Sequence, residues 1–154
     1  MEDNEKVKNS PLSVLRNKKL KIYADGASRG NPGPASYGIC VLDSNDKILL
    51  EIGETIGNNT NSVAEYSALI RSLEEAVKLG AEELEIFTDS QLVARQFEGV
   101  YRVKDENLKI LMQKVRELEK KFKSVNVQHI LRSSHPGNVR ADRLANIALN
   151  RSLK

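Results

Sequence analysis

The stretch LKIYADGASRGNPGPASYGICVL, residues 20–42, decides the fold of this chain. Its first six residues alternate between apolar and more polar side chains, the period of two that is typical of a half-buried strand. Glycine and proline then crowd residues 26–34 and predict a turn. Residues 37–42 are again largely apolar, so a second strand is predicted to close a hairpin. Asp25 stands out because it ends an apolar strand, where a carboxylate needs a hydrogen bond, a counter-charge or a metal ion.

The composition predicts one globular domain. The chain has 154 residues, of which 40% are hydrophobic and 29% charged, and its net charge of +3 permits a polyanionic partner without requiring one. With one cysteine and two histidines, an intrachain disulfide and a Cys/His zinc site are excluded. Residues 1–18 are polar and are predicted to form a flexible N-terminal tail before a domain over residues 19–154. We expect a cytoplasmic protein without a membrane span.

Hydrophobic periodicity predicts the remaining elements. In chain order they are a strand at 47–52, a loop at 58–61, a helix from 63 to 80, a strand at 84–88, a helix to about 97, a helix at 105–122, a strand at 125–131, a loop at 132–137 and a helix at 140–149. Three antiparallel strands followed by alternating helices and strands indicate an α/β fold. The predicted sheet is five-stranded and mixed, with strands 4 and 5 parallel to strand 1.

Four carboxylates are candidate functional groups, and each also has a local structural explanation. Asp25 fits an Asx turn with the glycine that follows it. Glu65 fits a capping box in which Ser62 is the N-cap. Asp89 lies between a strand and a helix, where aspartate is a preferred N-cap, and Asp142 lies in the predicted first turn of the last helix.

Together the four carboxylates suggest a metal site. Asp25 and Asp89 are predicted at the carboxyl ends of strands, and ligands of such sheets collect at that edge. Converging carboxylates repel one another and raise their pKa values unless a cation is present. Oxygen-only ligands favour Mg²⁺ or Mn²⁺. Two such ions about 3.5–4 Å apart can clamp the attacking and leaving oxygens of a phosphoryl transfer.

Four blocks of sequence resemble type 1 ribonuclease H. They are DGASRGNPGPASYG at 25–38, TNSVAEY at 60–66, TDSQ at 88–91 and NVRADRLA at 138–145. The resemblance covers about residues 19–149 and implies a ribonuclease H-like fold. It also implies endonucleolytic hydrolysis of the RNA strand of RNA/DNA hybrids to 5′-phosphate and 3′-hydroxyl products. By position, it implies that Asp25, Glu65, Asp89 and Asp142 bind two Mg²⁺ or Mn²⁺ ions when substrate is present, with water activated on one ion as the nucleophile.

The same resemblance implies a set of substrate contacts. They are Gly26, Asn31, Thr60, Asn61, Ser62, Gln91, Arg102 and Lys104. Asn31, Asn61 and Gln91 match positions that read the minor groove of the hybrid, where the 2′-hydroxyl distinguishes RNA from DNA. Thr60 matches a position that helps to hold a phosphate of the DNA strand. Their structural alternatives are turn chemistry for the two asparagines and a solvated helix position for Gln91.

The chain departs from the family pattern at three places. Ser62 stands where many relatives carry asparagine. The segment between Gln91 and residue 122 lacks the basic, tryptophan-containing protrusion of some bacterial members, so this is a compact form. Many relatives have a histidine in the loop before the last acid, but an ungapped alignment puts Arg132 there and His135 three residues later. His135 is therefore either a group that assists catalysis by proton transfer or a solvated loop residue.

Three alternatives stay open at this point. The first is a related nuclease of the same fold that also cuts double-stranded RNA or DNA. The second is a nucleic-acid-binding module without catalysis, and the third is a coincidence of caps and turns, which predicts no effect of divalent ions on stability. An RNA/DNA hybrid is the expected partner, and we expect a monomer with no protein partner and no membrane.

Overall fold

A computed structural model describes residues 19–153, so the predicted N-terminal tail lies outside the described residues. The strands are β1 (Lys19–Ser28), β2 (Gly33–Leu42), β3 (Ile48–Asn59), β4 (Glu83–Thr88) and β5 (Ser124–His129). The helices are α1 (Asn61–Lys78), α2 (Gln91–Glu98), α3 (Glu106–Glu119) and α4 (Pro136–Ser152). No helix in this part of the chain is long and apolar enough to span a membrane.

The five strands form one mixed sheet in the order β3-β2-β1-β4-β5. β1, β2 and β3 pair antiparallel, whereas β4 runs parallel to both β1 and β5. The predicted five-stranded mixed sheet is therefore confirmed. β2 and β3 are joined by a turn in which Oδ1 of Asp43 accepts hydrogen bonds from the backbone N–H groups of Asn45 and Lys47.

The two faces of the sheet are covered unequally. Helices α1, α2 and α3 pack on one face and bury the larger apolar core, which includes Ile22 of β1, Ile86 of β4 and Leu73 of α1. Helix α4 packs on the other face, where Tyr23, Cys40, Leu42 and Ala141 form a smaller cluster. Because strand residues alternate between faces, this arrangement directs Tyr23 and Asp25 to the side of α4.

The third strand is longer than predicted. β3 continues to Asn59 and pairs with β2 as far as Gly33, so the predicted loop at residues 58–61 is wrong. The part of β3 beyond the predicted strand, residues 53–59, contains two glycines and exposed polar residues, because it lies at the edge of the sheet. Its backbone hydrogen bonds, and not a buried side-chain pattern, make it a strand, so periodicity could not detect it.

The last helix begins four residues earlier than predicted. His135 is the N-cap of α4 and Pro136 occupies the first turn, where the missing N–H of proline is not needed. The segment His-Pro-Gly-Asn resembles a loop in sequence because proline and glycine usually mark turns. Asp142 is consequently the seventh residue of the helix and does not lie in its first turn.

Candidate active site

The register between β1 and β4 brings two of the acids together. The parallel pairing ends with Ala24 opposite Thr88, so Asp25 and Asp89 directly follow the last paired residues of β1 and β4. The prediction that Asp25 ends its strand is wrong. β1 continues to Ser28, and Asp25 lies opposite Gly38 of β2. The Asx-turn explanation of Asp25 is therefore wrong, and its side chain is only 5% exposed.

Two close backbone approaches bring the other two acids to the same place. A Cβ on Gly26 would lie 2.5 Å from the backbone nitrogen of Glu65, so only glycine lets α1 approach β1 this closely. A Cβ on Gly38 would lie 2.1 Å from the carbonyl oxygen of Ala141, so glycine also permits the contact between β2 and α4. These contacts bring Glu65 and Asp142 towards Asp25 on the central strand β1.

The four acids line one cleft of about 390 Å³. Its remaining lining residues are Gly26, Ala27, Ser28, Arg29, Asn61, Arg132 and Asn146. The nearest cation to an acid in this cleft is Arg132, whose Nη2 lies 3.8 Å from Oδ1 of Asp142 and whose side chain is largely exposed. The cleft is thus a concave, polar surface lined by four acidic side chains and two arginines.

None of the four acids has the local structural role that the sequence allowed. The N-cap of α1 is Thr60, whose Oγ1 accepts a hydrogen bond from Val63, so the capping box built on Ser62 is wrong. The N-cap of α2 is Ser90 and not Asp89. No acidic residue lies in the first turn of α1 or α4. Coincidental caps and turns therefore do not explain the acids.

Burial and mutual repulsion raise the pKa of two of these carboxyl groups. The pKa of Asp25 is raised far above its ordinary value, first by burial and then by the charge of Asp89 and the contacts with Asp142. Burial raises the pKa of Glu65 to about 7, an effect that the charge of Asp89 increases and the hydrogen bond from Ser90 reduces. The cleft therefore carries carboxylates whose ionisation a bound cation would favour.

The residues of the cleft fit divalent ions in their chemistry. All four acidic groups offer carboxylate oxygens, the ligands that Mg²⁺ and Mn²⁺ prefer. The pKa values of Asp25 and Glu65 are raised first by burial and then by the charge of Asp89, and a bound cation would oppose both effects. Within residues 19–153, the side chains as they stand do not form a set of three or more acidic, histidine or cysteine ligands around one point. Binding an ion would therefore require rotation of these side chains.

The substrate contacts expected from the resemblance are distributed unevenly. Gly26 and Asn61 line the cleft. Asn31 lies beside it, because its Oδ1 accepts a hydrogen bond from the backbone nitrogen of Asn61 at 3.0 Å, while Thr60 caps α1. The other four, namely Ser62, Gln91, Arg102 and Lys104, do not line the cleft, and all of these but the half-buried Ser62 are exposed.

His135 lies outside the cleft. Its Nδ1 accepts a hydrogen bond from the backbone nitrogen of Gly137 at 3.0 Å, which caps α4. Its ring stacks on Tyr23 with the centroids 4.5 Å apart. The geometry therefore gives His135 structural contacts that the sequence did not reveal, and it does not place the imidazole among the four acids.

Three residues of the site were not singled out as candidates from the sequence. Ser90 donates a hydrogen bond to Oε1 of Glu65 at 3.0 Å, and Nδ2 of Asn146 donates to the carbonyl oxygen of Asp142 at 2.9 Å and to its Oδ1 at 3.3 Å. Arg132 reaches the cleft itself. The four-residue helical spacing between Asp142 and Asn146 was the one signal that could have identified such a contact.

Comparison with known proteins agrees with this architecture. Residues 23–148 match a family model described as reverse transcriptase-like. Ribonuclease HI of Halobacterium salinarum is 42% identical over 135 residues, which are 88% of this chain and 66% of that protein. A bifunctional protein of Mycobacterium tuberculosis is 44% identical over 133 residues, which are 86% of this chain and 36% of that protein. The chain thus spans only part of both relatives.

Solved structures superpose on most of the described residues. The crystal structure of RNase H1 from Halobacterium salinarum has a TM-score of 0.82 at 42% identity and covers 86% of this chain and 98% of that one. LC11-RNase H1, isolated from compost, was solved in complex with an RNA/DNA hybrid. It has a TM-score of 0.82 at 39% identity and covers 88% of this chain and 99% of that one.

The five-stranded sheet of this chain superposes on solved RNase H1 structures, which defines its fold class, and four acids line a cleft beside its central strands. The chain is a member of the ribonuclease H family.

Proposed function

We propose that the protein is an endoribonuclease that hydrolyses the RNA strand of RNA/DNA hybrids. The observation that carries this proposal is the convergence of Asp25, Glu65, Asp89 and Asp142 on one cleft of a ribonuclease H fold. The relative LC11-RNase H1, which was solved with an RNA/DNA hybrid, supports the choice of substrate. The expected products are a 5′-phosphate and a 3′-hydroxyl, because water adds to phosphorus and the bond to the 3′ oxygen breaks.

The four acids are proposed to hold two Mg²⁺ or Mn²⁺ ions when substrate is bound. Such ions would neutralise the charge of the scissile phosphate and make water a better nucleophile. Asp25 has the central position because its contacts extend to both Asp89 and Asp142. Ser90 and Asn146 hold the side chains of Glu65 and Asp142, which orients these ligands before an ion arrives.

The residues beside the acids are proposed to bind the hybrid. Asn61 lines the cleft, and Asn31 fixes its backbone nitrogen, so both amide groups lie where a minor groove would approach. Arg102 and Lys104 are exposed beyond α2 and are proposed to contact phosphates. Because the net charge is only +3, binding is expected to be modest and to weaken as the salt concentration rises.

The protein is proposed to act as a cytoplasmic monomer. The single Cys40 is buried and suits a reducing compartment. The domain is proposed to extend over residues 19–154, with residues 1–18 as a tail.

The deciding experiment compares end-labelled RNA–DNA, RNA–RNA and DNA–DNA duplexes in Mg²⁺, Mn²⁺ or EDTA. Asp89→Asn removes one cleft acid, and Glu117→Gln is the matched control because Glu117 is an exposed acid on α3, away from the cleft. We expect cleavage of the RNA strand of the hybrid alone, lost in EDTA and in Asp89→Asn but not in Glu117→Gln. Cleavage of double-stranded RNA or DNA as well would indicate the broader nuclease. Binding without cleavage in either metal would overturn the proposal in favour of a binding module.

A further inference from the structure

Three aromatic rings form a continuous stack behind the acids. The Tyr23 ring lies between Phe87, with centroids 4.8 Å apart and planes at 19°, and His135, with centroids 4.5 Å apart and planes at 6°. Tyr23 and Phe87 are register partners in the parallel pair β1–β4. Tyr23 is only 5% exposed. We refer to these three rings as the aromatic stack.

Each ring of the stack belongs to an element that positions one of the cleft acids. Tyr23 precedes Asp25 by two residues on β1, so both side chains leave the same face of the sheet. Phe87 precedes Asp89 by two residues at the end of β4. His135 is the N-cap of α4, the helix that carries Asp142. The stack therefore joins the three elements whose relative position determines the distances between these acids.

The histidine end of the stack is held by close contacts on both sides. Its Nδ1 accepts a hydrogen bond from Gly137 at 3.0 Å. A Cβ on Gly137 would lie 2.2 Å from the ring of Tyr23, so the start of α4 rests directly on the stack. Asn138 is 1% exposed, and its Oδ1 accepts a hydrogen bond from the backbone of Ser133 at 2.5 Å, which fixes the preceding turn.

We propose that His135 is a positioning residue of the metal site, acting through its stack on Tyr23 and its cap on α4 to hold Asp142 near Asp25 and Asp89. The proposal rests on the proposed function, because it concerns ions bound by the same acids. It differs from the interpretation of His135 as a proton-transfer group. The imidazole lies outside the cleft, and its Nδ1 already accepts the hydrogen bond of the helix cap.

Three substitutions separate the two contacts of His135. His135→Asn removes the ring. It keeps a side-chain acceptor for the helix N-terminus, because asparagine is a favoured N-cap. His135→Phe keeps a ring for the stack but removes the acceptor. His135→Ala removes both. Asp105→Ala is the control, because Asp105 caps α3 by accepting from Leu108 at 3.0 Å, and α3 carries none of the cleft acids.

The first measurement is the Mn²⁺ affinity of the folded protein by calorimetry. The second is the steady-state cleavage of an RNA/DNA hybrid between pH 6 and 9. We expect His135→Ala to lose about tenfold in Mn²⁺ affinity and in kcat, with little change in KM, as is usual when a group that supports metal ligands is removed. His135→Asn and His135→Phe should each recover part of the loss. All three variants should keep the shape of the pH profile, and Asp105→Ala should bind Mn²⁺ like the unaltered protein.

Two outcomes would overturn the inference while leaving the proposed function intact. One is unchanged Mn²⁺ affinity in His135→Ala. The other is a pH profile that loses the same limb in all three variants, with Phe and Asn as inactive as Ala, which would indicate proton transfer. Absence of cleavage by the unaltered protein would instead contradict the proposed function, and the Mn²⁺ affinities would still decide the inference. An unaltered protein that binds no Mn²⁺ would overturn both.

Discussion

Oγ of Ser90 donates a hydrogen bond to Oε1 of Glu65 at 3.0 Å, and this serine oxygen also accepts a hydrogen bond from the backbone nitrogen of Val93 at 3.2 Å. A single side chain thus caps α2 and holds an acid that belongs to α1. Because Ser90 follows Asp89 directly, the orientation of Glu65 is tied to the strand end that carries Asp89. Loss of the hydroxyl is expected to affect both the helix and the cleft.

Ser90→Ala should lower the free energy of unfolding by about 1 kcal/mol, the usual cost of losing a serine N-cap. It should also raise the pKa of Glu65 further, since the hydrogen bond from Ser90 opposes the effect of burial. Urea denaturation in EDTA measures the first effect, and the pH dependence of Mg²⁺ binding measures the second. Ser90→Thr keeps the hydroxyl and should behave like the unaltered protein. Equal Mg²⁺ binding by Ser90→Ala and Ser90→Thr would contradict a role for the contact with Glu65.

Stability without divalent ions should fall as the pH rises. The pKa values of Asp25 and Glu65 are raised in the folded protein, so above their ordinary values the folded state holds protons that the unfolded state has released. For Glu65, the stabilisation is complete below its ordinary pKa and is lost as the pH rises through about 7. Loss of the proton from Asp25 lowers the free energy of unfolding further at higher pH, because its pKa is raised more than that of Glu65. The slope is at most about 1.4 kcal/mol per pH unit for each group.

Urea denaturation in EDTA at pH 5.5, 7.0 and 8.5 checks this pH dependence. Asp25→Asn should show a shallower decline and should be more stable than the unaltered protein at pH 8.5, because an amide carries no proton to lose. Glu117→Gln should leave the slope unchanged, because Glu117 is an exposed residue of α3. Stability that rises with pH over this range would mean that burial does not raise these pKa values.

Gly38→Ala should displace α4 from the sheet. The added methyl group would lie 2.1 Å from the carbonyl oxygen of Ala141 and 2.8 Å from the backbone nitrogen of Ala145, and neither backbone atom can move without the helix. Overpacking of this kind costs about 1–3 kcal/mol. The displacement would also move Asp142, so Mg²⁺ should stabilise the variant less than it stabilises the unaltered protein.

Gly57→Ala is the matched control for this substitution. Gly57 has φ +76° and nothing within 4 Å of its added Cβ, so alanine there meets backbone strain without a collision. It should lose about 1 kcal/mol of stability and keep the full response to Mg²⁺. Thermal denaturation with and without Mg²⁺ compares the two variants. An equal response to Mg²⁺ in both would show that the contact between Gly38 and Ala141 does not determine the position of Asp142.

Sequence patterns predicted the buried elements of this fold well. Strand β1 alternates with a period of two and helix α1 repeats at helical spacing, because each buries one face against a single core. The second half of β3 and the start of α4 were missed for the opposite reason. Backbone pairing at the sheet edge defines the end of β3, and the cap made by His135 defines the start of α4. Neither feature produces a periodic pattern of hydrophobic residues in the sequence.

The acids of the site were predictable, but the contacts that hold them were not. Strand order alone suggests that Asp25 and Asp89 are neighbours, since both follow buried residues of parallel strands. Two of these contacts join residues that are far apart in sequence: the hydrogen bond from Ser90 to Glu65 and the stacking of the His135 ring on Tyr23. Such contacts depend on how helices pack on the sheet, which local propensity does not encode.

Mg²⁺ should stabilise the folded protein more at pH 8 than at pH 6. Ions and protons compete for the same carboxylates, and the pKa of Asp25 is raised, so binding must release protons. At a Mg²⁺ concentration of 100 times Kd, binding to the folded state alone adds about 2.7 kcal/mol. The midpoint of thermal unfolding should therefore rise with Mg²⁺ at pH 8 but not with NaCl at equal ionic strength.

Asp25→Asn should lose most of this rise, whereas Glu117→Gln should keep it. An equal rise in Asp25→Asn would mean that the ion binds outside the cleft, because Asp25 contacts two of the three other acids that would share it.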